Sequence, residues 1–569
     1  MKKGILTALL VIIILLAVLV IIGGLFYLQV NQRPSIPTAS YLQIHLKGRI
    51  SDTDSSLFSP RRLTIRELFY QIHRARKDER IRGLILKISP LYNGIDVAEE
   101  IGQLAAEFKK SGKKVFAFIE NGGLKELLCA SYADRVYALR DNFISIPGIS
   151  IQAVFLKNTL EKIGIEPQFF QIAEYKTGPN MFTEEGFTRA HRESYQALLD
   201  DIYASSLRTL SENRPVSRET LTTLFGEFPT SNAVYLEHNL IDGIAYEDEI
   251  LSREDISLPV TRLETYRMAG GPKPFTGEQK IAIIFAGGEI HEGASGSSSL
   301  TGNQIMGSDT ISGYLRKCRK DDGIRAVIFR VNSPGGSPVA SDIIRREAEL
   351  VNNEKPLVVS MSEVAGSGGY YISLSSSRIL AFPQTITGSI GVYGGKFVLK
   401  DFYDRIGLRK EMLSTGPYAG MFTDYRPFTR AESVKYRRIM EGIYQSFVAR
   451  VLNFRPIAPE EIDRIARGRV WAGESAIRRK LIDEFGGLSR ALEVARELAG
   501  IDPSDPVSLI VYPPRMTLAE FLIKSVIEYN TQDDLGISRL PGPRQLGEDL
   551  KRYRHFFPAY LLPCRPEIR

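Results

Sequence analysis

Two stretches of this chain, 243 positions apart, are written alike. Ile81-Arg82-Gly83-Leu84-Ile85-Leu86-Lys87-Ile88 lines up with Ile324-Arg325-Ala326-Val327-Ile328-Phe329-Arg330-Val331. The same offset pairs Glu120 with Glu363, Gly123 with Gly366, Arg135 with Arg378, Gly148 with Gly391, Lys157 with Lys400 and Ile163-Gly164 with Ile406-Gly407. Beyond this the register slips slightly. Phe187-Thr188-Arg189-Ala190 still matches Phe428-Thr429-Arg430-Ala431, and Leu240-Ile241-Asp242 matches Leu481-Ile482-Asp483. A long gapless register of this kind means one structural unit built twice. Each copy alternates short β-prone runs with amphipathic helical segments, which predicts an α/β fold with a largely parallel sheet. In the second copy the strands are expected near 281–287, 325–332, 357–362 and 378–382. The helices are expected near 308–320, 339–353, 368–376 and 396–407. The first repeat runs over 41–252, a Pro- and Gly-rich linker over 253–280 and the second repeat over 281–500. Residues 501–569 form a C-terminal extension for which no repeat partner is seen.

The N-terminus carries a separate signal. Lys2 and Lys3 precede Gly4–Val30, which holds no charge and is almost wholly apolar. About 20 such residues span a bilayer. The run ends in bulky residues where signal cleavage would need small ones, so residues 1–30 read as an uncleaved transmembrane signal anchor followed by a linker, 31–40. The lysines before the span leave the N-terminus in the cytoplasm and the body on the outer face. The formal charge of +7 is small for 569 residues and no basic block occurs, which argues against nucleic-acid binding. Cys129, Cys318 and Cys564 are far apart and lack metal-ligand spacing, so no disulfide framework and no metal site is expected.

The copies differ where chemistry would sit. In the second, Val358–Ser373 passes from an apolar run through Gly366-Ser367-Gly368-Gly369 into apolar Tyr370-Tyr371-Ile372. A glycine-flanked serine at a strand-to-helix junction suits a nucleophile, although the same residues also make an ordinary turn. The first copy has Leu124 at the position of Ser367, and Leu91-Tyr92-Asn93 in place of Pro334-Gly335-Gly336. Backbone N–H groups at Gly335-Gly336 suit a developing oxyanion. A serine needs a base. His291 and His555, the histidines in or after the second copy, sit in no triad-like motif. Lys176, in the first copy's E-Y-K-T-G-P, has no counterpart in the second copy's L-S-T-G-P. Taken alone, Lys176 reads as a solvated surface lysine. The complementary losses instead suggest one site assembled across both copies, with Lys176 neutralised by burial.

These residues resemble a known family. R-V-N-S-P-G-G-S at 330–337, A-G-S-G-G-Y-Y-I-S at 365–373, I-T-G-S-I-G-V at 386–392, the E-Y-K-T-G segment and G-R-V-W-A-G at 468–473 are similar to the signal peptide peptidase A (protease IV) family of Ser/Lys proteases. The resemblance covers roughly 40–500, as in the family's long, duplicated members. It implies two Clp protease/crotonase-like units after a membrane helix and a homotetramer at the bacterial cytoplasmic membrane, open to the periplasmic side. It implies peptide substrates, signal peptide remnants among them, with no metal or organic cofactor. It assigns Ser367 as nucleophile, Lys176 as general base, Gly335 and Gly336 with Gly368 to oxyanion and substrate binding, and Ser389 to orienting lysine or substrate. The family's Glu-Pro after the lysine motif is missing here. Three other readings are an acyl-CoA or thioester enzyme on the same superfamily fold, a non-catalytic membrane scaffold, and a Ser/His hydrolase using His291 or His191.

Overall fold

The computed structural model describes residues 34–53, 62–140, 142–254, 258–297, 304–514 and 560–561. The expected membrane anchor lies outside the described residues. Among those described, no helix is long and apolar enough to cross a membrane.

The first copy contains strands β1 (Ser40–Gly48), β2 (Ile81–Leu91), β3 (Lys114–Ile119), β4 (Arg135–Ala138), β5 (Glu166–Ile172), β6 (Gly243–Ile244) and β7 (Val260–Arg262). The second contains β8 (Gln279–Gly287), β9 (Glu289–His291), β10 (Gly296–Ser297), β11 (Gln304–Gly307), β12 (Ile324–Ser333), β13 (Gly335–Gly336), β14 (Leu357–Gly366) and β15 (Arg378–Ala381). It continues with β16 (Ile386–Gly388), β17 (Val392–Val398), β18 (Val470–Ala472), β19 (Glu484–Phe485), β20 (Val507–Tyr512) and β21 (Tyr560–Leu561).

The two largest sheets are parallel except where β18 pairs antiparallel with β16, and their orders correspond strand for strand. The first runs β6-β4-β3-β2-β1-β7 and the second β19-β15-β14-β12-β8-β20, with β16 and β18 added beyond β14. The second sheet's central strands are buried nearly throughout, as parallel strands covered on both faces must be.

Two segments depart from the sequence reading. Residues 253–280 are not a bare linker, because β7 pairs in parallel with β1. Past Gly500, β20 pairs in parallel with β8, so each copy closes its sheet with a strand from its own end. The matching text is short: Pro259-Val260-Thr261 against Pro506-Val507-Ser508. Edge strands of three and six residues carry too little pattern to announce themselves. The helix expected over 396–407 is shorter, Lys400–Arg405, because Val392–Val398 is a strand. Its partner is β5 of the other copy, antiparallel from Val392↔Ile172 to Val398↔Glu166, and a local pattern cannot reveal such a partner.

The copies share more than this ribbon. One continuous apolar core holds Leu42, Ile44 and Leu86 of the first sheet together with Ile281, Ile328 and Val358 of the second. Arg330, wholly buried, donates to Glu100 and Asp52 of the first copy and to Ser360 and Ser362 of its own. A buried guanidinium is tolerable because nearly every donor is paired.

Candidate active site

Strand β14 ends at Gly366 and a helix starts at Gly368, leaving Ser367 as the hinge with φ 55° and ψ −117°. A non-glycine residue at positive φ is strained, and such strain persists only where the surroundings enforce it. Here the Ser367 N–H donates to the Gly388 carbonyl of β16 (2.8 Å). The neighbouring glycines are required by contact. A Cβ on Gly368 would lie 3.1 Å from Gly335 Cα and 3.2 Å from Gly336 N, and one on Gly369 would lie 2.5 Å from the Ser333 carbonyl oxygen. The nucleophile turn and the β13 glycines therefore pack backbone to backbone.

Gly335 and Gly336 hold φ of 107° and 156°. The Gly335 N–H is directed at Ser333 Oγ, 3.2 Å away. Strand β21, from the far C-terminus, runs antiparallel along this pair, Gly335↔Leu561 and Gly336↔Tyr560. The glycine edge is therefore geometrically able to accept an extended backbone.

Lys176 arrives from the first copy. The β5–β17 ribbon ends just before it on one strand and just after Ser389 on the other. Its Nζ lies 2.8 Å from Ser367 Oγ, 3.0 Å from the Ser389 carbonyl oxygen and 2.9 Å from Ser389 Oγ. Lys176, Ser367 and Ser389 are all buried. Burial holds the Lys176 ammonium well below the usual lysine range, and no carboxylate opposes the shift. A neutral amine has two N–H donors and one lone pair. On a neutral amine, two donors serving Ser389 would leave the lone pair for the Ser367 hydroxyl.

A strap of the second copy seats this lysine, and sequence reasoning gave it no role. The Tyr175 N–H donates to the Arg467 carbonyl, Arg467 pairs with Glu174 at 2.8 Å, and the Gly468 N–H donates to the Ile390 carbonyl. A Cβ on Gly468 would lie 2.5 Å from Lys176 Cβ, and one on Gly391 3.2 Å from Lys176 Cδ. Arg469 covers the Tyr175 ring at 5.1 Å and pairs with Glu193 at 3.0 Å. The signal available was G-R-V-W-A-G itself.

The histidines stand elsewhere. His191 is buried among Phe155, Phe187 and Tyr195, and burial pushes its imidazole down to about 4. His291 lies beside Glu289 at 3.5 Å. Among the described residues, Lys176 is the titratable group bonded to Ser367 Oγ. The described residues contain no cluster suited to a metal ion.

The model of peptidase family S49 matches this chain twice, over residues 107–260 and 349–502. A chloroplastic serine protease SPPA of Arabidopsis thaliana is 34% identical over 485 residues, covering 83% of this chain and 71% of that protein. Protease 4 of Salmonella typhi is 31% identical, covering 75% of this chain and 71% of that one. Among solved structures, a ClpP1 mutant from Listeria monocytogenes covers 37% of this chain and 94% of its own at 12% identity, with a TM-score of 0.25 that carries no weight for the fold. With one S49 match in each copy and relatives aligned across most of its length, the chain belongs to peptidase family S49 and is a long, duplicated serine protease of the signal peptide peptidase A type.

Proposed function

We propose that the protein hydrolyses peptide bonds with a Ser/Lys dyad split between its two copies. The observation that carries this reading is the 2.8 Å approach of a wholly buried Lys176 Nζ to Ser367 Oγ. Neutral Lys176 takes the Ser367 hydroxyl proton as Oγ attacks the substrate carbonyl carbon. The oxyanion is held by backbone N–H groups of Gly336 and Gly368, since that of Gly335 is directed at Ser333 Oγ. The Lys176 ammonium then returns its proton to the leaving amine as the C–N bond breaks. Water attacks the resulting ester, Lys176 accepts its proton, and that proton restores the Ser367 hydroxyl as the acyl group departs. Ser389 spends its carbonyl and hydroxyl on the lysine, which makes it the residue that aims the base.

Substrates of this site are cleaved signal peptides and other short or unfolded polypeptides, bound as an extended strand along Gly335-Gly336 in place of β21. Residues 1–30 anchor the chain in the bacterial cytoplasmic membrane with the body on the periplasmic side, where it forms a homotetramer. The test is hydrolysis of a fluorogenic peptide with an apolar residue before the scissile bond. Wild type cleaves, while Ser367→Ala and Lys176→Ala, folded by circular dichroism, do not. Retained activity in Lys176→Ala would remove the cross-copy base.

A further inference from the structure

Strand β18 and the strap before it are bonded to both halves of the proposed dyad. The Arg467 carbonyl accepts from the Tyr175 N–H, one residue before the lysine. The Arg469 carbonyl accepts from the Ser389 N–H at 2.8 Å. Val470 pairs with Gly388, whose own carbonyl accepts from the Ser367 N–H at 2.8 Å. One short segment thus meets the backbone beside the base, the residue that aims it and the support of the nucleophile. Ser367, Ser389 and Arg467, none of them glycine, hold φ of 55°, 52° and 59°. Strain of this kind persists only where the surroundings enforce it.

Trp471 lies at the centre of those surroundings. It is the only tryptophan of the 569 residues and is 4% exposed. Its indole N–H donates to the Ile465 carbonyl at 2.9 Å, which closes the loop that carries the strap. Its ring edge abuts Gly388, where a Cβ would lie 2.9 Å from Trp471 Cδ1. Two guanidinium groups lie over the ring, Arg479 at 3.6 Å and Arg469 at 4.5 Å. Such cations are attracted by the negative face of the indole. Arg469 also lies over the Tyr175 ring at 5.1 Å and pairs with Glu193 of the first copy at 3.0 Å. Side-chain contacts therefore run from Trp471 through Arg469 to Tyr175, alongside the backbone route through the strap. The first copy, which lacks the nucleophile, lacks this residue too. In the register that matches Leu240 with Leu481, Trp471 falls on Thr230, which is exposed.

We propose that Trp471 is a positioning residue for the Ser/Lys reaction, holding the strap so that Lys176 stays buried and within reach of Ser367. This rests on the dyad reading of the site. Trp471 spends its hydrogen bond on Ile465 and its ring on Gly388 and the arginines, so it acts through the segment it holds. A slack strap has two consequences. Lys176 Nζ and Ser367 Oγ leave their 2.8 Å approach, which lowers kcat. Water also reaches the amine past Gly468, which favours the charged form and returns the lysine toward its ordinary range.

Wild type, Trp471→Phe, Tyr444→Phe and Lys176→Ala are compared as full-length chains in detergent on the fluorogenic peptide, each checked by circular dichroism. Trp471→Phe keeps a ring and drops the indole N–H. Tyr444→Phe drops the hydroxyl that accepts from the Arg467 N–H at 3.2 Å, and it loosens the same strap from another side. Trp471→Phe lowers kcat about tenfold, leaves KM within about twofold, and moves the rising limb of kcat/KM to higher pH. Tyr444→Phe moves the limb the same way by less. A folded Trp471→Phe with the kcat and the limb of wild type overturns the proposal. So does a fall in kcat with the limb unmoved, which is what a general loosening gives. If Trp471→Phe does not fold, an unmoved limb in Tyr444→Phe overturns it. Activity retained by Lys176→Ala overturns the Ser/Lys reading itself, whereas a silent Lys176→Ala beside an unaltered Trp471→Phe overturns this assignment alone.

Discussion

The two copies keep one scaffold and differ in a handful of turn residues. Both sheets have the same strand order, and both place a turn after the second strand and a helix after the third. In the second copy those turns carry Gly335-Gly336 and Ser367. In the first they carry Tyr92-Asn93 and Leu124, and the structure shows what replaced the chemistry. Asn93 clamps the Ile50 backbone on both sides, its Oδ1 accepting from the N–H at 2.7 Å and its Nδ2 donating to the carbonyl at 2.9 Å. Beside it, the Gly94 N–H donates to Glu363 of the second copy at 2.8 Å. A turn that would stabilise an oxyanion in one copy holds the sister copy's carboxylate in the other. Scaffold is conserved by packing, whereas function depends on a few side chains placed upon it.

The sharpest way to break this comparison is to remove either half of the proposed dyad. Ser367→Ala and Lys176→Met should each lower kcat/KM for the fluorogenic peptide by at least about 10⁴-fold, since members of such a unit are grossly non-additive. Leu124→Ser in the first copy should restore nothing in a Ser367→Ala background.

The next effect comes from exchanging turn residues. Gly336→Asn imports the first copy's residue at φ 156°, with a Cβ 2.0 Å from the Ile290 carbonyl oxygen. It should lower kcat by about 10²–10³-fold, the loss expected for one oxyanion donor. The mirror change, Asn93→Gly, should leave kcat within a few-fold and lower stability by about 1–2 kcal/mol, read from urea denaturation.

Acidity sharpens the comparison further. The base works only when neutral, so kcat/KM should rise with pH through the depressed Lys176 value and level off below the usual lysine range. Stability follows the same group. Its folded form binds fewer protons than its unfolded form between the two values, so its contribution to stability grows as pH rises across that window. Lys176→Met should therefore raise the melting temperature at neutral pH, and the gain should shrink toward pH 10.5, the ordinary value. A gain independent of pH would sink the neutral-lysine assignment.

The smallest effect is reserved for the strap's outer ion pair. Arg467 and Glu174 are each 42% exposed, so Glu174→Gln should cost under about 1 kcal/mol of stability.

Much of this is legible in the sequence. The offset of 243 announced the duplication, and the strands expected at 325–332, 357–362 and 378–382 lie within or beside β12, β14 and β15. Ser367 and Lys176 stood out because each copy lacked what the other kept. What stayed hidden depends on partners distant in sequence. Strand β17 owes its hydrogen bonds to β5, which no window around Val392 contains. The need for a glycine at 468 is invisible locally, because Lys176, which it must make room for, is written in the other copy. Arg330 and Glu100 meet only because the copies close over them, across 230 residues of chain.

The separation of the two reacting groups also sets an order in time. Ser367 is written 191 residues after Lys176. A ribosome that has finished the first copy has made Lys176 and not yet Ser367. The serine emerges much later, and β16, β17 and the strap that aim the base emerge later still. Until Ser367 is made, the chain holds the lysine without the hydroxyl it meets in the folded protein. On the proposed reading, hydrolytic competence cannot precede the second copy, whose segments supply Ser367, Ser389 and the strap.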